Sequence, residues 1–189
     1  VLICVTLIPA TILLCATGDL CVKLLYERGA FTATDTAMTN RALFGYSVGL
    51  VFYALSISFV RIFNAMHDMK TPALIGITSI ALNAIIASVL MVPYRNLGIS
   101  LATSIVSLYN FLFLYVILRH RTGYRLARPA VRDIIKSLLA GILLILLIVL
   151  TRRLLPGSLL PPLFASALLT VAVYGIVFKN YYRRLLRRR

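Results

Sequence analysis

Six long apolar segments, separated by short polar stretches, dominate the chain. A bilayer core about 30 Å thick is crossed by about 20 apolar helical residues, and the segments are close to this length. They lack the alternating polarity of membrane β-barrel strands. Because backbone groups in lipid must be satisfied within the segment, the pattern predicts helices. The predicted helices cover residues 1–22, 42–66, 72–92, 97–118, 134–151 and 159–178.

The expected fold is all-α, a polytopic membrane bundle of six transmembrane helices. Residues 1–189 are interpreted as a single membrane domain, in which residues 179–189 form a basic tail. The connectors are too short for a further domain. The chain opens with VLICVTLIPA, which lacks a Met and the basic start of a signal peptide. We therefore interpret it as the C-terminal part of a longer protein.

Composition supports a membrane protein and changes the expected anionic partner. Charged residues make up 13% of the chain, against about 25% in soluble domains. A net charge of +15 in a soluble protein would suggest nucleic acid. Here the cations flank apolar segments, so lipid headgroups are expected instead and nucleic acid is not. The residues expected to contact anionic headgroups are Arg183, Arg184, Arg187, Arg188 and Arg189.

The distribution of Lys and Arg predicts the orientation of the helices. Most of the 20 such residues lie in one alternate set of connectors, which includes Arg61, Lys70, residues 119–136 and the tail. Cytoplasmic loops carry the excess of cations. The first helix is therefore predicted to run outward, and the C-terminus to be cytoplasmic. The stretch NAMHDMKTP, residues 64–72, becomes a tight cytoplasmic turn.

Few residues suggest chemistry. No catalytic constellation, metal-ligand cluster or cofactor motif is found, so an enzyme is not expected. Asp19, four residues before Lys23, either forms an interfacial ion pair with it or faces a water-filled cavity. Asn83 and Asn110 lie at membrane depth, where hydrogen bonding between helices is favoured over substrate contact. The GYSVG pattern at Gly45 and Gly49 allows close helix packing.

Three stretches carry a family resemblance: residues 26–50, 61–75 and 96–121. They resemble the C-terminal half of the MurJ/MviN family, the bacterial lipid II flippases of the MOP transporter superfamily. The specific parts are the GAFT loop with Asp35, the YSVGL run, the DxKTP turn at Asp68 and the GxxxATS start at Gly98. The resemblance is specific over residues 20–120, whereas the last two helices fit by position and hydropathy.

The resemblance implies a two-lobed bundle of which this chain supplies the last six helices. Such proteins flip the undecaprenyl-linked peptidoglycan precursor across the bacterial cytoplasmic (inner) membrane for cell wall synthesis, by alternating access and as monomers. Their anion-binding arginines lie mostly on N-terminal helices outside this chain. Their last two helices, here residues 134–178, form a groove for the lipid tail. The family's cytoplasmic termini agree with the orientation predicted above.

Arg61, Asp68 and Lys70 are the candidate cytoplasmic gate. In a bundle that rocks between two states, their charges could pair in one state and separate in the other. Alternatively, Lys70 fixes topology and Thr71 and Pro72 start the next helix. Two other functions stay open: a MOP-superfamily exporter of another lipid-linked saccharide or drug, and a non-transporting membrane scaffold. The coupling ion and the exact substrate are not specified by the sequence.

Overall fold

The computed structural model describes residues 2–123, 128–154, 164–175 and 178 of the chain. Five long helices and one shorter apolar helix occur in this part, and the all-α class is confirmed. The long helices have the length and apolar composition needed to cross a membrane. The helices are α1 (Leu2–Tyr26), α2 (Ala33–Ala65), α3 (Lys70–Tyr94), α4 (Asn96–Thr122), α5 (Arg128–Leu154) and α6 (Phe164–Gly175).

The helices extend beyond the apolar segments into polar sequence. Helix α2 begins at Ala33, well before the apolar run that starts at Ala42. The backbone N–H and hydroxyl of Thr32 donate to the Asp35 carboxylate at 2.9 and 2.7 Å, which organises the first turn. Helix α4 continues to Thr122, and Gly123 ends it with a φ of 67°. Local hydrogen bonding, rather than hydropathy, therefore sets these helix ends.

Helices α2 and α4 pack with almost no side chain between them. Gly45 faces Ser100, Gly49 faces Ser104, and the Ser104 hydroxyl donates to the Gly45 carbonyl. A Cβ atom on Gly49 would lie 2.6 Å from the Ser104 Cα. The expected small-residue contact is therefore confirmed, and its partner is α4. Small residues drive helix association in lipid because they let the backbones approach.

Two apolar clusters divide the bundle. One joins α2, α3 and α4, and the other joins α1, α5 and α6 together with Phe178. Helix α1 also packs against α2, which links the two groups. The first cluster contains Phe59, Phe63, Ile75, Leu114 and Leu118. The second contains Val5, Ala140, Leu144, Ile148, Tyr174 and Phe178.

Candidate functional site

The charged turn between α2 and α3 is organised by Asp68. The Thr71 backbone N–H donates to Asp68 Oδ1 at 3.1 Å, and the Thr71 hydroxyl donates to Oδ2 at 2.7 Å. These bonds satisfy a donor at the start of α3 that has no partner within the helix. Arg121, in the last turn of α4, forms an ion pair with Asp68 and also donates to the Thr71 hydroxyl at 3.3 Å. We call Asp68, Thr71 and Arg121 the turn cluster.

The turn cluster keeps Asp68 ionised. Hydrogen bonds from the Thr71 side chain and backbone, supported by the Arg121 guanidinium, hold the pKa of Asp68 below its usual range. The Asp68 side chain is 17% exposed, whereas that of Arg121 is 49% exposed. The turn cluster therefore fastens the beginning of α3 to the end of α4 by a partly sheltered carboxylate.

The three candidate gate residues separate into two kinds. Asp68 belongs to the turn cluster, while Arg61 and Lys70 are exposed near the same end of the bundle. Within the described residues, neither Arg61 nor Lys70 forms an ion pair with Asp68. Asp68 thus holds this chain's own helices together, and the cations of Arg61 and Lys70 remain accessible.

Polar groups at membrane depth connect α3 to α4. The Ser79 hydroxyl donates to Asn110 Oδ1, and the hydroxyls of Thr78 and Tyr109 lie 3.0 Å apart. Asn110 therefore bonds between helices. Asn83, further along α3, has a buried Oδ1 with no hydrogen-bond partner in the described part of the chain. These contacts add directional bonds to the apolar cluster that α3 and α4 share, and such bonds matter because apolar burial provides little driving force in lipid.

Asp19 lies in an open cleft of about 460 Å³ between α1 and α2. The cleft also contains Lys23, Glu27, Thr36 and Arg41. Lys23 Nζ lies 3.9 Å from the Glu27 carboxylate, and the Thr36 hydroxyl donates to Glu27 at 2.9 Å. The ion pair of Lys23 with Glu27 lies toward the end of α1. A long cationic side chain near a helix end extends toward the interface, which fits the position of this ion pair.

A cleft of about 550 Å³ lies where α3 meets α4, at the opposite end of these helices from the turn cluster. Arg41 of α2 contributes to it as well as to the Asp19 cleft. Arg95 contributes from the junction itself. The remaining lining residues are Met38, Pro93, Tyr94, Asn96 and Leu97.

An apolar cleft of about 280 Å³ lies between α1 and α6. Leucines 13, 14 and 24 and Phe164 provide most of its surface, and Thr17 and Ser166 add hydroxyls. The lipid-tail groove implied for residues 134–178 would include α6, but the described part of this cleft is shared with α1.

The sequence alone does not single out Arg121, Arg41 or Arg95. Arg121 is far from Asp68 in the sequence, although the distribution of Lys and Arg predicts that both lie on the cytoplasmic side of the membrane. That predicted side is the one feature of the sequence that hints at their contact. No group of three or more His, Cys, Asp or Glu side chains with metal-binding potential occurs within the described ranges. The five tail arginines lie outside the described residues.

Comparison with known proteins gives a consistent result. The sequence model of the family described as "Lipid II flippase MurJ" matches residues 1–182. The lipid II flippase MurJ of Thermosipho africanus is 30% identical over 131 residues, covering 69% of this chain and 26% of that protein. The probable lipid II flippase MurJ of Rickettsia prowazekii is 35% identical over 108 residues, covering 57% of this chain and 21% of that protein. The chain thus spans about a quarter of the length of these relatives.

A solved structure extends the likeness to the whole fold. It is described as "Lipid II flippase MurJ, inward closed conformation", and it superposes with a TM-score of 0.82 at 27% identity. The superposition covers 97% of this chain and 37% of the solved chain. The last two helices, which matched only by position and hydropathy, are therefore included in the structural likeness.

Proposed function

The chain belongs to the lipid II flippase MurJ family, and we propose that it forms part of a transporter of lipid II across the bacterial cytoplasmic membrane. The observation that carries the proposal is the family match over residues 1–182. A sugar-peptide pyrophosphate headgroup cannot enter hydrocarbon unaided, because burial of unpaired charge is very costly. A polar passage between helices removes this cost. The task is translocation, and the protein is not an enzyme.

The chain provides one part of that passage. It spans 37% of the solved flippase, so we assign the complete transport activity to the longer polypeptide that such relatives form. The substrate is lipid II, whose tail stays among the apolar helices while its headgroup crosses. The protein acts as a monomer with a cytoplasmic C-terminus, and the arginines of the tail contact anionic headgroups. The alternative, an exporter of another lipid-linked saccharide or drug, is not favoured by the family match.

Complementation tests the proposal. The complete open reading frame that encodes this chain is expressed in bacteria depleted of their essential lipid II flippase. Growth and exposure of lipid II on the outer leaflet are measured, together with abundance of the protein in the membrane. Restoration of both supports the proposal. A well-inserted protein that restores neither would contradict lipid II as substrate.

We also propose that Arg61, Asp68 and Lys70 form the cytoplasmic gate, with different tasks. Asp68 holds the α2–α3 turn against Arg121, so the turn and α4 move together. Arg61 and Lys70 are exposed at the same end, where they are available to carboxylates on another part of the transporter in one state. State-dependent ion pairs of this kind bias a two-state equilibrium only if they differ between the states.

Charge reversal distinguishes the gate from general surface charge. Arg61→Glu and Lys70→Glu are expected to reduce complementation and lipid II exposure while membrane abundance stays normal. Arg119→Glu is the matched control, because Arg119 is an exposed cation near the same end of the bundle. Normal flipping by both gate variants, or equal loss in the control, would remove the gate proposal.

A further inference from the structure

The cleft at the α3–α4 junction has the charge of an anion-binding site. Two arginines from different elements, Arg41 of α2 and Arg95 at the α3–α4 junction, line one cleft of about 550 Å³. Tyr94 and Asn96 add polar groups, and no Asp or Glu is among the described residues that line it. Arginine is well suited to phosphate, because its planar guanidinium can donate two parallel hydrogen bonds to phosphate oxygens.

Among the described residues, neither arginine of the cleft, Arg41 or Arg95, takes part in an ion pair. Nearby cations behave differently: Lys23 pairs with Glu27 at 3.9 Å, and Arg28 donates to the Leu24 carbonyl at 3.4 Å. Arg41 also borders the cleft that Asp19 and Glu27 line.

The backbone at Arg95 adds a second observation. Arg95 has a φ of 50°, a region that glycine enters readily and that other residues enter at a cost. Arg95 is both the C-cap residue of α3 and the N-cap residue of α4. A long cationic residue, rather than glycine, thus occupies the tight junction that borders the cleft.

The cleft also lies beside the ends of three apolar runs, where hydrocarbon gives way to headgroups. Arg41 immediately precedes the apolar run of α2, and Arg95 separates the apolar runs of α3 and α4. Tyr94 is 55% exposed, and tyrosines are enriched where hydrocarbon meets headgroups. The orientation proposed above places this end outside, where the charge bias disfavours cations and gives them no topological task.

We propose that Arg41 and Arg95 bind the phosphate of a lipid headgroup in the outer leaflet. The leaflet rests on the orientation in the proposed function, whereas the binding of phosphate does not. Two lipids carry this chemistry: a bulk anionic phospholipid, and a polyprenyl pyrophosphate such as the translocated product. In the second case the cleft receives the pyrophosphate as the headgroup leaves the passage.

The test measures binding of two defined lipids to the complete, detergent-solubilised protein. Native mass spectrometry gives the affinity for phosphatidylglycerol and for undecaprenyl pyrophosphate, with diacylglycerol as the lipid without phosphate. The double variant Arg41→Gln with Arg95→Gln is expected to bind one or both phosphate lipids at least about tenfold more weakly. Loss for phosphatidylglycerol alone identifies a bulk-lipid site, and loss for the pyrophosphate identifies a product site.

A matched variant separates the cleft from general surface charge. Arg28→Gln with Arg153→Gln removes the same charge from exposed positions outside the cleft and is expected to leave both affinities unchanged. Arg41→Lys with Arg95→Lys keeps the charge and should restore part of the binding, which guards against misfolding of the glutamine variant. Equal weakening in the Arg28 and Arg153 control, or unchanged binding in the cleft variant, would overturn the proposal.

The outcomes also separate this site from the proposed function. A parent protein that fails complementation but binds phosphate lipid through Arg41 and Arg95 would reject the function and keep the site. A parent that restores growth, with binding unaffected by the cleft variant, would keep the function and reject the site.

Discussion

Helices α2, α3 and α4 combine two kinds of contact, whereas apolar packing dominates among α1, α5 and α6. Both sets contain an apolar cluster, but in the first set glycines also meet serines and side chains bond to each other between helices, as in Ser79 with Asn110. In the second, aliphatic and aromatic side chains interlock, and the Tyr174 hydroxyl donates to the Ser137 carbonyl at 2.7 Å. Lipid is as apolar as leucine, so only close packing and polar bonds distinguish a helix neighbour from solvent.

The difference indicates different mechanical roles. Backbone contact and directional hydrogen bonds fix one relative position of α2, α3 and α4. Apolar packing tolerates rearrangement at similar volume better than backbone contact does, and so we expect α5 and α6 to adjust more readily against α1. We interpret the first set as the rigid body of this chain and the second as its adaptable edge.

The largest effect is expected from Gly49→Ala. The new Cβ would lie 2.6 Å from the Ser104 Cα, so the helices must separate. The free energy of unfolding should fall by about 3 kcal/mol, at the upper end of overpacking costs. Gly76→Ala is the control, because nothing lies within 4 Å of its Cβ. Thermal unfolding in detergent measures both, and equal Tm values would refute the close α2–α4 packing.

Leu144→Ala probes the adaptable edge. Leu144 is fully buried among α1, α5 and α6. Loss of its packing should lower the free energy of unfolding by about 2 kcal/mol, since a cavity forms but lipid reduces the transfer contribution. Leu146→Ala, at an exposed position of the same helix, should have little effect. A cost as large as that of Gly49→Ala would weaken the contrast between the two regions.

A smaller effect is expected where one polar bond is removed. Ser79→Ala deletes the hydroxyl that donates to Asn110, at an expected cost of about 1 kcal/mol or less. Ser88→Ala is matched, because the Ser88 hydroxyl bonds only within α3, to the Ile85 carbonyl. Unfolding in increasing dodecyl sulfate compares the two. If Ser88→Ala costs as much, the bond to Asn110 contributes nothing specific.

The smallest effect concerns Asp68 and depends on pH. Because its folded-state pKa is lowered, the ionised carboxylate stabilises the fold above the unfolded-state value of about 3.9. That contribution is lost as the pH falls through the lowered folded-state pKa. The Tm difference between the parent and Asp68→Asn should therefore be constant from neutral pH to about 4 and then shrink.

Asp133→Asn, which removes a carboxylate outside the turn cluster, controls for net charge in this comparison. A parent-to-Asp68→Asn difference that disappears well above the ordinary Asp pKa would contradict the hydrogen bonds assigned to Asp68.

Hydropathy predicted the helices but could not predict their neighbours. The apolar runs of α2, α3 and α4 are each inside an observed helix, because crossing lipid demands helical backbone. The observed start of α2 and end of α4 lie beyond the predicted ones, because Asp35 and Gly123 form local hydrogen bonds there. The contact of Asp68 with Arg121 depends on α3 and α4 returning to the same side, which a charge count shows only coarsely. Arg41 and Arg95 converge only in three dimensions, so spacing in the sequence carries no signal for their cleft.

The matched spacing of glycines on α2 and serines on α4 has a consequence for sliding. Gly45 and Gly49 are one turn apart, as are Ser100 and Ser104, and the helices run in the same direction. A shift of one turn, about 5.4 Å, would keep one glycine–serine contact and lose the other. The nearest alternative alignment is therefore half matched, and it would also pull Arg121 away from Asp68. The packing therefore favours one axial register of α4 along α2. In this register both glycine–serine contacts and the ion pair of Asp68 with Arg121 are present together.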